Sequence, residues 1–216
     1  MNLTHINARK IEITWDEEDL YNLLYWRFAD NDEFISVLAP PSTEPDPVFD
    51  AVFPKQVDSG ARKPTTWTWM MGRVRDGSGV KTPRNLIDLI LKAREAQLRR
   101  EEWAPREHMV TQPLLEADSL KRGLDALSYQ RVEDTLLAEA GELADDIEKF
   151  RRGKAEHSPG SLRNVLGEGY LEKAKLLQQI GFLEPVGLNF KIPMLYRPGL
   201  GITQGKAASP FDEKSD

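Results

Sequence analysis

Thr82-Pro83-Arg84-Asn85-Leu86-Ile87-Asp88-Leu89-Ile90-Leu91-Lys92-Ala93 is the stretch on which the fold turns. Thr82 suits an N-cap, since its hydroxyl can accept from a backbone N–H that no helical carbonyl reaches. Pro83 then takes the first helical position, where its missing N–H costs nothing. Leu86, Leu89, Ile90 and Ala93 recur at helical spacing and mark one apolar face. The pattern runs to about Trp103, which predicts a helix of about six turns.

Working outward, a tryptophan-rich helix is expected to begin at Pro64–Thr66 and run through about Arg75, stopped by Asp76-Gly77-Ser78-Gly79, with Trp67, Trp69, Met70 and Met71 as packing residues. Residues 10–15 alternate as a short strand does, and Asp16 opens an amphipathic helix over about 16–30. A proline-rich loop follows, with room for a short helix near 49–53. Beyond Pro105 and Pro113, three further helices are expected over 115–126, 128–138 and 142–152. Helices at 161–166 and 170–180 then flank a turn at 167–169. Strands at 182–186 and 191–196 pair around 187–189. Helix, turn, helix, hairpin is the order of a winged helix-turn-helix. If the second helix packs, Leu171, Leu176, Leu177 and Ile180 are buried, while Lys173 and Lys175 are dispensable.

The expected fold is therefore mainly α. A helical, lid-like domain spans 1–108, a helical and winged-helix domain spans 109–206, and 207–216 form a disordered tail. The 216 residues are 40% hydrophobic and 30% charged, a globular composition. No stretch approaches the roughly 18 apolar residues of a membrane span, so no membrane partner is expected. The absence of cysteine excludes disulfides and thiolate metal sites and suits a cytoplasmic location.

Charge is unevenly spread. Residues 1–50 carry 3 basic and 11 acidic side chains, whereas 51–105 carry 11 and 6. The basic middle can meet the acidic front within the chain or face an anionic ligand. Gly77-Ser78-Gly79-Val80-Lys81-Thr82 looks like a phosphate-binding loop, but Val80 stands where a glycine must precede the lysine. Arg84, in the first turn of a helix and close to Lys81 and Thr82, suits an anion such as phosphate; the alternative is an ordinary surface arginine. His5, His108 and His157 are isolated, which offers no metal site, and no catalytic residue is assigned. Lys173, Lys175, Lys191 and Arg197 are the candidate contacts to DNA or to a partner, opposed by Glu168 and Glu172.

The run Arg73-Val74-Arg75-Asp76-Gly77-Ser78-Gly79, followed by Thr82-Pro83-Arg84-Asn85-Leu86-Ile87, resembles the lid segment of bacterial P-loop ATPases of the AAA+/STAND-like group. Ile13-Thr14-Trp15 with Asp19-Leu20-Tyr21 is similar to the entry to that lid. Gly181-Phe182-Leu183 and Pro193-Met194-Leu195-Tyr196-Arg197 are similar to the winged-helix ending of the same proteins. The resemblance implies that Arg84 senses the terminal phosphate of bound ATP, with Thr82 and Pro83 presenting it. It departs from the pattern at Asn85, where aspartate often follows the arginine, and the nucleotide-binding core is missing. The implied function is to sense or transmit the nucleotide state of a P-loop ATPase core supplied elsewhere, as a fragment, a truncated product or a separate subunit. No cofactor is then expected on this chain alone; ATP and magnesium enter only with the partner core. The alternative is a winged-helix regulator that binds DNA through 160–197.

Overall fold

The computed structural model describes residues 14–38, 45–107 and 112–202. Helix α1 (Glu17–Ala29) starts from a reciprocal cap: Asp16 accepts from the Asp19 N–H, and the Asp19 carboxylate accepts from the Asp16 N–H. Its Leu20 and Leu24 are buried, and Tyr21 stacks on Phe49. Short helices α2 (Asp32–Leu38) and α3 (Pro45–Val52) follow. Thr65 then caps α4 (Thr66–Val74), whose Trp69, Met70 and Met71 are in the core.

Helix α5 (Pro83–Trp103) begins at the Thr82 cap and buries Leu86, Leu89 and Ala93. It packs along α6 (Ala117–Gln130). The two approach closely enough at Ala93 and Gly123 that a Cβ on Gly123 would lie 2.7 Å from the Ala93 nitrogen. Glycine is what allows that crossing. One buried cluster runs from Leu20 to Ile202 and draws residues from both sides of position 108.

Beyond α6 the structure departs from the three helices expected. The chain passes without a break from α6 into a π-helical stretch, Arg131–Leu137. A 3-10 turn (Gly141–Leu143) leads into α7 (Ala144–Glu148), which stops short of 152. Ser128, which looks like a helix start, is buried inside the helix instead. Its hydroxyl accepts from the Gly199 N–H at 2.8 Å and so holds the C-terminal segment.

Strand β1 (Glu156–His157), which local pattern does not reveal, precedes α8 (Pro159–Leu166) and α9 (Tyr170–Gln179). Strands β2 (Glu184–Val186) and β3 (Asn189–Lys191) complete an antiparallel sheet in the order β1-β3-β2. Glu156 pairs with Lys191, and Val186 with Asn189. The last strand ends at Lys191 rather than at 196. Pro193 has no N–H for a ladder, and the Tyr196 N–H turns back to the Pro193 carbonyl. The architecture is mainly helical with this small sheet. The expected strand at 10–15 lies outside the described residues up to 13, and Thr14 and Trp15 are in no strand. The expected tail, His5 and His108 also lie outside them.

Candidate functional site

The turn that resembles a phosphate loop spends its amides on itself. Asp76 Oδ1 accepts from the N–H groups of Ser78 (2.9 Å) and Val80 (3.0 Å), and the Asp76 carbonyl accepts from Gly79. Arg75 and Lys81 bridge across its base. These donors are not available to encircle a phosphate. The turn docks instead: the Gly77 N–H donates to the Gly181 carbonyl at 2.6 Å, and Arg75 reaches Glu184 with Nη2 at 2.9 and 3.2 Å from the two carboxylate oxygens. Lys81 pairs with Glu17 at 3.0 Å, so the acidic front and basic middle do meet at this point within the chain.

Thr82 accepts from the Asn85 N–H, and the Asn85 side chain donates to the buried Val74 carbonyl at 2.9 Å. That bond needs an amide N–H, which an ionised aspartate lacks. Asparagine at this position ties α5 to α4.

Arg84, by contrast, is 73% exposed. Its Nε stands 3.8 Å from Oδ2 of Asp88, one turn further along α5. The same carboxylate oxygen lies 2.7 Å from Nη2 of Arg131, at the start of the π-helical stretch. Arg131 is only 6% exposed. Two guanidinium groups thus share one carboxylate. Burial, and the neighbouring charge of Arg84, both lower the Arg131 pKa. Arg84, Arg131, Thr82, Thr135, Leu136 and Tyr196 line one cavity of about 510 Å³. Burial, with the Asp76 charge second, raises the pKa of the Tyr196 hydroxyl, so it remains a donor at neutral pH.

Sequence spacing brings Arg84, Lys81 and Thr82 together but misses Asp88, Arg131, Thr135 and Tyr196. Asp88 and Arg131 are far apart in the chain, and no local pattern signals their meeting. The candidate contacts further along are dispersed. Lys175 is exposed and Lys191 half-buried, but Lys173 donates to Asp146 and to the Leu166 carbonyl, both at 3.1 Å. Arg197 is buried and donates to the Ile192 carbonyl at 2.7 Å, which corrects its reading as a surface contact. Of the four apolar residues expected inside α9 and its end, Leu177 is buried, while Leu171, Leu176 and Ile180 are exposed. Val186 and Leu188, beside the tip of the β2–β3 hairpin, are also exposed, Leu188 at 88%.

Among the described residues, no group of three His, Asp or Glu side chains is placed to hold a metal ion, and no helix is long and apolar enough to cross a membrane. Comparison with family models, curated proteins and solved structures gives no match to this chain.

Proposed function

We propose that the chain is the lid and winged-helix portion of a P-loop ATPase, and that it senses or transmits the nucleotide state of a core supplied elsewhere. The observation that carries this reading is Arg84: a solvent-exposed arginine with a loose 3.8 Å partner, in the first turn of a 21-residue helix. Neither the helix nor Asp88 uses its charge fully. A cation at the positive end of a helix is mildly unfavourable, and an anion approaching that end meets the guanidinium and the positive end of the helix dipole. A terminal phosphate presented by a partner fits that setting.

Apolar exposure in this part of the chain favours a protein partner over DNA. Leu171 and Leu176 of α9, Ile180 at its end and Leu188 of the hairpin are exposed. Exposed apolar groups of this kind suit a protein contact, whereas DNA affinity rests on free cations. Lys173 and Arg197 are engaged within the chain.

The test is association between this chain and a lidless P-loop ATPase core, measured with ATP, with ADP and without nucleotide. Affinity that changes with nucleotide supports the proposal. Affinity independent of nucleotide, or a salt-dependent complex with a DNA duplex in its place, overturns it.

A further inference from the structure

A second cavity, of about 300 Å³, lies between α1, α2, α5 and the segment that leads into α6. On α5, Ile90, Arg94, Leu98 and Glu101 follow one another at helical spacing and so share the face that makes one wall. Phe28 and Phe34, with ring centroids 5.8 Å apart, and Val52 and Leu115 supply the others. The Leu114 and Leu115 N–H groups donate to the Ala51 and Val52 carbonyls at 3.0 and 2.9 Å, which fixes that side of the cavity. Water among such walls finds few hydrogen-bond partners.

The polar side chains of the described lining are matched, with one exception. Gln97 and Arg106 both donate to Glu101, at 2.7 and 2.8 Å, and the other Arg106 nitrogens donate to the Pro113 and Leu114 carbonyls. The Gln97 oxygen accepts from the Ser119 hydroxyl at 2.6 Å. Arg94 is the exception: it is exposed and makes no ion pair or hydrogen bond among the described residues. Arg106 offsets Glu101, so Arg94 leaves the described lining with a net positive charge that solvent and ligand both reach. An apolar body with a single anionic head meets both features. A sugar or a polyanion does not, because burying its polar groups against these walls leaves them unpaired.

We infer that this cavity binds an aliphatic carboxylate of about eight carbons, its chain among the apolar walls and its carboxylate at Arg94. Because Arg94 is solvated, the chain supplies most of the affinity and the guanidinium supplies the preference for an anion. The inference is independent of what Arg84 meets.

Amide chemical-shift titration of the full chain at neutral pH, with octanoate and octylamine as probes, tests it. Octanoate should bind with a Kd of about 1 mM or tighter, shifting residues 90–98 and 114–115 most. Octylamine, a cation at that pH, should bind at least about threefold more weakly. Hexanoate, shorter by two methylenes, should bind about tenfold more weakly than octanoate. Arg94→Glu changes an exposed residue and should reverse the preference, making octylamine the tighter ligand. Leu98→Ala trims the wall and should weaken both probes by about threefold. No saturable shift at ~20 mM octanoate, equal affinity for the two probes, a preference unmoved by Arg94→Glu, or affinities unmoved by Leu98→Ala overturns the assignment.

Discussion

Asp88 and Arg131 meet at 2.7 Å, joining the first turns of α5 to the point where α6 gives way to the π-helical stretch. Arg131 is deeply buried and Asp88 mostly so, which separates this contact from the solvent-exposed pairs on the surface. Replacing Asp88 by Ala leaves a buried guanidinium without its carboxylate, and unfolding free energy should fall by about 3 kcal/mol. Arg84→Ala removes a loose, exposed charge and should cost under about 1 kcal/mol. Denaturant titration of the two variants checks the contrast. Equal costs would contradict the division of labour at Asp88.

Gly77 is a docking point rather than a phosphate contact. A Cβ there would come within 2.7 Å of the Gly181 carbonyl oxygen and 2.8 Å of the Leu183 backbone. Gly77→Ala should therefore push the turn off the segment after α9 and cost about 2 kcal/mol. Gly72 has open space where its Cβ would go, so Gly72→Ala serves as the control and should not destabilise. Thermal unfolding of both distinguishes docking from a general intolerance of the added methyl group.

His157 makes stability depend on pH. It is buried, and Nε2 faces the Lys154 carbonyl at 3.0 Å, so Nε2 carries the proton and Nδ1 accepts from Ser161. Burial, countered in part by the bond to Lys154, lowers its pKa below the ordinary value. The unfolded chain therefore takes up a proton near pH 6.5 while the folded chain does not. Stability is fully present above that pH and falls as pH drops toward the lowered folded value. His157→Gln should flatten this part of the profile relative to the native chain, as measured by denaturation between pH 7.5 and 5, a range of about 2.5 units. A slope unchanged by the substitution would assign the pH dependence to other groups.

Lys173 is engaged within the chain, unlike the exposed Lys175. Burial would raise the Asp146 pKa, but hydrogen bonds from Lys149 and Lys173 outweigh it and lower the value. Because Lys173 is about one-third exposed, solvent screens part of the interaction. Lys173→Ala should cost about 1 kcal/mol and raise the Asp146 pKa, while Lys175→Ala stays within about 0.5 kcal/mol. Unfolding curves for the two single variants check this directly.

Legibility in the sequence followed the range of the interaction. The Thr82 cap, the Pro83 start and the apolar spacing of α5 are local, and the helix falls where they put it. The break after Val74 and the exposure of Arg84 were legible for the same reason. Ser128 misled because a serine inside a helix resembles a cap until its distant partner, Gly199, is known. The π-helical turn, the β1–β3 pairing and the burial of Arg197 depend on contacts between segments far apart in the chain. The α9 residues were misassigned because alternate apolar positions suit either a core or an exposed face, and only packing decides between them.

If Arg84 meets a partner's terminal phosphate, as proposed, steady-state ATPase turnover of the reconstituted core and lid depends on it. With this chain supplying the lid, Arg84→Ala should lower kcat by about a hundredfold, the loss typical of one charge contact made in the transition state. Its folding stability and its association with the core in the absence of nucleotide should stay close to those of the native chain. Turnover unchanged by Arg84→Ala, in a complex that still forms, would contradict the account and leave Arg84 as a surface residue of α5.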